Sequence, residues 1–240
     1  MALPKVGLVL HPQFSPFHFS VPYMVFSIAL PEGPLFELLI ITPDGKPLAS
    51  ERAMTVQPDG GLDLLDAVDI AVVPGWHDLT EAPPPELSEA LTRCHKRGAH
   101  VVGLCYGTYA LAYAGLLDNK RASTHWLAEQ DFLKRFPRVN LDTNALYVED
   151  ERLVTSAGTA AGLDCCLFLV REYYGAKTAN TLARLMVVPP HREGGQAQFI
   201  EQPVAISTQD AHMNRLLDYL REHLDKTHTI DELAARTAMS

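Results

Sequence analysis

The chain has 240 residues, a formal net charge of −9 and a pI near 5.5. That length suits one large domain or a medium domain plus a small one, and 47% hydrophobic with 20% charged residues is ordinary globular composition. An acidic chain binds nucleic acid poorly without a local motif; no signal peptide is expected, and the first apolar run, Met1 to Leu10, is stopped by His11-Pro12 far short of a membrane span.

Short apolar runs alternate with helical patterns. Val6 to Leu10 predicts a buried strand, Tyr23 to Leu30 a helix, and Phe36 to Ile41 a second strand closed by the turn Thr42-Pro43-Asp44-Gly45. Ile70 to Val73 is a third strand, stopped by Pro74-Gly75. Pro83-Pro84-Pro85 sets up a helix from about Glu86 to Arg97, ended by Gly98. Val101 to Leu104 is the next strand and Thr108 to Ala114 the next helix. Arg121-Ala122-Ser123 reads as a short strand, and Asn140 to Ser156 as two or three more, turning at Glu149-Asp150-Glu151. Helices are expected from Ala161 to Tyr174 and from Ala176 to Val188, ended by Pro189-Pro190. Apolar strands flanked by helices imply a mostly parallel sheet covered on both faces. His191 to Pro203 reads as a loop or linker, and a domain boundary is placed between Pro203 and Gln209.

The four cysteines, Cys94, Cys105, Cys165 and Cys166, form no C-x-x-C pair, which points to reduced thiols and a cytoplasmic setting. Cys94, Cys165 and Cys166 lie on helical faces and read as packing residues. Cys105 differs. Gly103-Leu104-Cys105-Tyr106-Gly107 sits between a strand and a helix, the arrangement of a nucleophile elbow with Cys in place of Ser. A tight strand-to-helix turn needs small flanking residues. The helix start behind it offers N–H groups and positive potential that favour thiolate over thiol. Gly75, at the end of another strand, would supply a second N–H for an oxyanion hole. His125 is the candidate base. A core cysteine and a structural histidine beside Trp126 are the plain alternatives. A metal site from His11, His18, Cys105 and His125 is conceivable, but no spacing demands it, and neither a metal nor a cofactor is expected.

The stretch GLCYGTYALAYAGLLDNKRASTHW, Gly103 to Trp126, resembles the amidotransferase-like domain of AraC-type regulators, as do TSAGTAAGLD and VVPPHREGGQAQF within Leu153 to Phe199. The resemblance implies the ThiJ/PfpI superfamily and a flavodoxin-like three-layer α/β sandwich over about residues 5 to 200. It also implies that Cys105 occupies the elbow and that His125 matches a His which some branches place after the next strand. An acidic residue of catalytic relatives would fall in Phe17-His18-Phe19, where this chain has His18. Tyr106 stands where the intracellular-protease branch carries His. These departures favour a sensor over a catalyst, with Gly75, Cys105, Tyr106, His125 and His18 as the expected ligand-binding set.

After Gln209 the chain resembles the opening of an AraC-type DNA-binding module. Thr229-Ile230-Asp231-Glu232 is a capping box, with Leu233, Ala234 and Met239 as core contacts of the helix that follows. Asp210 to Asp225 is amphipathic. From Ser207 to Ser240 four basic residues face six acidic ones, a net of −2, and the reading helix is expected after Ser240, where Ser240 would be its N-cap. The expected organisation is a sensor domain over 1–203 and an incomplete all-α helix-turn-helix segment over 209–240. The expected partners are a small molecule, DNA through the full C-terminal module and a second copy of the chain, with no membrane. The competing readings are a cysteine-dependent hydrolase, amidase or hydratase, and a thiol redox sensor.

Overall fold

A computed structural model describes residues 2–158, 160–192, 195–196, 214–216, 218–220 and 222–237. The central sheet has six strands: β1 (Lys5–Val9), β2 (Glu37–Ile41), β3 (Ile70–Val73), β4 (His100–Leu104), β5 (Tyr147–Asp150) and β6 (Leu153–Ser156). Their order is β5-β6-β4-β3-β1-β2. Every neighbouring pair is parallel except the β5–β6 hairpin, which turns through Glu151 and Arg152.

Alternate residues of each strand feed opposite cores, as a period of two requires. Leu8, Val72, Val102 and Val154 pack with α1 (Pro16–Ser27) and α5 (Ala161–Leu185). Val9, Val73, Val101 and Leu153 pack with α2 (Pro85–Lys96), α3 (Gly107–Tyr113) and α4 (Glu129–Arg135). The result is the flavodoxin-like three-layer sandwich expected, with a mostly parallel sheet. The helix α5 is interrupted at Gly175 (φ +78°, ψ 170°), so it runs as the two helices that the sequence suggests.

Two elements differ from expectation. The first helix runs from Pro16 to Ser27, not from Tyr23 to Leu30. Pro16 starts it, where a missing N–H costs nothing, and Pro22 is tolerated inside although it removes the bond that His18's carbonyl would receive. Ala29–Leu30 instead pairs with Gly33–Pro34. This shift matters to function, because it places His18 in the first turn of α1. The second difference is α4, which the apolar pattern did not announce. Its signal is electrostatic: Glu129 and Asp131 in the first turn, Lys134 and Arg135 in the last.

The chain divides into two compact units, Met1–Phe199 and Ile200–Ser240. The expected boundary at 203–209 lies outside the described residues, as do 210–213, 217, 221, Met239 and Ser240. Within the second unit, α6 (Ile230–Thr237) carries the capping box read from sequence. Glu232 N–H donates to Thr229 Oγ1 (3.3 Å), and Thr229 N–H donates to Glu232 Oε2 (3.0 Å). Arg236 lies over the Tyr219 ring at 3.7 Å, which ties α6 to the preceding helical residues of that unit.

Candidate functional site

The elbow is built by sterics. Cys105 has φ +54°, a left-handed conformation that costs a non-glycine residue about 1–3 kcal/mol unless its surroundings fix it. A Cβ on Gly103 would stand 2.8 Å from the Thr108 nitrogen, and one on Gly107 would stand 2.1 Å from the Val73 oxygen. Both glycines are required because backbone, not a movable side chain, fills the space. Cys105 N–H donates to Ser156 O (3.1 Å), while its own carbonyl accepts from Thr108 N–H (3.3 Å) and Thr124 Oγ1 (3.0 Å). The cysteine is 1% exposed. The helix behind it, α3, has seven residues, so what it offers is local N–H groups more than an extended dipole.

Three of the expected residues line one cavity of about 360 Å³: His18, Gly75 and Tyr106. The Gly75 nitrogen lies 3.2 Å from where a Gly107 Cβ would be, so this strand end abuts the elbow. His18 packs against Gly75, and its Nε2 is buried with no hydrogen-bond partner among the described residues. Burial pulls the His18 pKa down, the Glu51 carboxylate opposes that, and His125 adds to it. Burial raises the Tyr106 phenol, and Cys105 adds to it. His11 lines the same cavity. Its Nδ1 lies 2.8 Å from Pro12 O, its ring is stacked on His77, and burial pushes its pKa down to about 4.

His125 lines a separate cavity of about 260 Å³, its ring 5.7 Å from that of Tyr106. Its Nδ1 accepts from Leu127 N–H (3.2 Å), which leaves the proton of a neutral ring on Nε2. Burial lowers its pKa. Gly158 leaves room for the ring, since a Cβ there would stand 1.8 Å from His125 Cδ2. Among the described residues no three of His, Cys, Asp or Glu are grouped so as to hold a metal ion.

Sequence reasoning missed two site residues and misread a third. Glu51 arrives from the β2–β3 connection: its N–H donates to Phe14 O (3.1 Å), and Phe14 bridges Ser50, which brings a carboxylate to the cavity that holds His18. So the cavity has an acidic group although the expected acidic position is histidine. Arg192 reaches the second cavity and pairs with Asp164 at 2.6 Å. Gln196 falls in the stretch read as a loop or linker, yet it is 3% exposed and structural. Its Oε1 accepts from Trp126 N–H (3.0 Å), and its Nε2 donates to Thr124 O (2.9 Å) and Ala145 O (3.3 Å). It therefore clamps the loop that carries His125. The only sequence signal was the GGQ string, which has no periodicity to read.

The remaining cysteines are chemically quieter. Cys94, Cys165 and Cys166 are fully buried, and burial raises all three thiols. Among the described residues no helix is long and apolar enough to cross a membrane.

Known proteins resemble this chain in sequence and in fold. The HTH-type transcriptional regulator CdhR of Pseudomonas aeruginosa is 27% identical over 202 residues, covering 84% of this chain and 60% of that one. The chain spans between 49% and 60% of the length of the first three curated regulators it matches. The isonitrile hydratase of Pseudomonas putida is 30% identical, over 75% of this chain and 76% of that one. A solved AraC family transcriptional regulator from Pseudomonas putida superposes with a TM-score of 0.68 at 25% identity, covering 76% of this chain and 99% of that one. The DJ-1/PfpI family profile matches residues 4–172, which hold both the elbow and the strands that support it, and the chain belongs to the DJ-1/PfpI family.

Proposed function

We propose that residues 1–203 form a sensor domain that binds a small molecule beside Cys105, in a transcriptional regulator whose C-terminal module binds DNA. The single observation that carries this reading is the set of regulators among the relatives, aligned over most of the chain. The site supports it. His18 stands where the resemblance puts an acidic residue in catalytic relatives, and burial lowers the pKa of His11, His18 and His125, so near neutral pH they offer uncharged ring nitrogens to a ligand. Gly75, Tyr106 and His18 are assigned to ligand contact with Cys105 and His125. The protein is assigned to the cytoplasm as a homodimer, since symmetric operators favour dimeric readers.

The second reading is a cysteine-dependent hydratase or hydrolase, favoured by the isonitrile hydratase relative and by Glu51, which could replace the carboxylate that His18 displaces. A panel of isonitrile, amide, ester and glyoxal substrates separates the two. The sensor reading expects no sustained turnover by the wild type. Multiple turnovers that vanish in Cys105→Ala overturn it.

A further inference from the structure

The second cavity has features that no pairwise packing explains. It lies against His125 and is walled by Trp126, Gly158, Ala161, Gln196 and Arg192. Among the described residues, one fully buried polar side-chain atom on that wall has no partner in the fold. Gln196 spends its amide on backbone. The Arg192 guanidinium meets Asp164 through one terminal nitrogen, at 2.6 Å. Its Nε is buried, and no acceptor among the described residues reaches it. Arginine stays charged at any accessible pH and presents its donors as a rigid fork that matches a carboxylate in bidentate fashion. Native structures rarely leave such a donor orphaned in a buried position, so an acceptor from outside the chain is the direct reading. The rest of the lining is the Trp126 ring and small or apolar side chains, with room for a compact apolar body. Ala161 begins the first of the two helical segments of α5, whose positive end adds to the field at the same spot.

We propose that this cavity is a subsite for the carboxylate of a small organic acid, held by Arg192 and lying along Trp126. The proposal rests on the sensor reading and adds the ligand's chemical class and its anchoring residue. Asp164 takes one terminal nitrogen of the guanidinium and offsets part of its charge, so it competes with the ligand for Arg192 and is not needed to hold it.

The chain has two tryptophans, so a Trp76→Phe background leaves Trp126 as the sole reporter of this cavity. The 240-residue chain would be titrated with propionate and benzoate, and with propionamide and benzamide, at constant ionic strength. We expect a saturable change in Trp126 emission with the acids and at least tenfold weaker binding of the amides. Arg192→Gln should weaken the acids at least tenfold. Because Arg192→Gln also breaks an ion pair, Asp164→Asn serves as its control: it breaks the same pair but keeps the cation, and it should bind the acids at least as well as the parent. Equal binding of acids and amides, unchanged binding by Arg192→Gln, or a loss in Asp164→Asn as large as in Arg192→Gln would each overturn the subsite. Absence of saturable binding by either acid would also overturn it, while leaving the sensor reading standing. Arg192-dependent binding accompanied by Cys105-dependent turnover of the bound acid would do the reverse, keeping the subsite and removing the sensor reading.

Discussion

Cys105 and Val187 both adopt a left-handed backbone at a helix junction, with φ +54° and +57°, in opposite surroundings. Cys105 is buried, flanked by two glycines that backbone contacts require, and fixed by hydrogen bonds at its own N–H and carbonyl. Val187 is 91% exposed at the end of α5. There the Val188 N–H reaches Ala183 O (3.0 Å) and the Val187 N–H reaches Arg184 O (3.1 Å), the two bonds of a Schellman cap. That cap ordinarily takes glycine at the Val187 position. The same dihedral is thus over-determined in one place and merely tolerated in the other. Strain that the surroundings enforce from several directions marks a candidate site, whereas strain at an exposed cap is a local cost of sequence choice.

The comparison can be broken first at the elbow. Gly107→Ala places a methyl group against the Val73 carbonyl, which belongs to the central sheet and has little freedom to move. We expect a loss of about 3 kcal/mol or more in urea unfolding, or failure to fold. A loss below about 1 kcal/mol would mean that the turn is not fixed by this contact.

The surroundings of the elbow give a pH test of nearly the same size. Burial lowers the His11 pKa to about 4 in the folded chain, against 6.5 for a solvated histidine in the unfolded chain. Above pH 6.5 both states are neutral and the group contributes no pH dependence. Between 6.5 and 4 the unfolded chain takes up a proton that the folded one refuses, so stability falls as pH falls, by up to roughly 3 kcal/mol across the window. His18, His100 and His125 are displaced in the same direction by burial and add to the slope. His11→Phe should flatten the stability-versus-pH curve in that window; an unchanged slope would show that His11 titrates normally in the fold.

The smallest effect is expected at the other end of the comparison. Val187→Gly removes the left-handed penalty of a β-branched residue, roughly 1–2 kcal/mol, and costs part of that in unfolded-state entropy. A net gain of about 0.5 kcal/mol in the melting of the first unit is predicted. Destabilisation would show that the valine side chain has a role its exposure does not suggest.

How much was legible in the sequence follows from the range of the forces involved. The elbow is a five-residue string whose glycines are required by contacts with the turn itself and with the neighbouring strand, so the string alone announces it. The capping box at Thr229 and Glu232 is equally local. The strands were readable because apolar runs bounded by Pro and Gly have few other uses. The first helix is harder to bound, because Pro22 sits inside it, where a proline ordinarily interrupts a helix and only the fold tolerates it. Glu51, Arg192 and Gln196 come from loops and enter through long-range contacts, with no period to mark them. Sequence separation of 28 residues between Arg192 and Asp164, and of 70 between Gln196 and Trp126, is set by topology and not by any local pattern.

The central claim is that the fold singles out Cys105 as the addressable centre of the domain. Native-state alkylation with iodoacetamide near neutral pH, followed by peptide mapping of all four cysteines, tests it most directly. Cys94, Cys165 and Cys166 are buried thiols whose pKa values are raised, and they should label only as the chain unfolds. Cys105 should label first, through breathing of the cavity beside Tyr106, and Thr124→Val, which removes a hydrogen bond to its carbonyl, should speed that labelling without exposing the other three. Preferential labelling of Cys94, Cys165 or Cys166 in the folded protein would contradict the assignment.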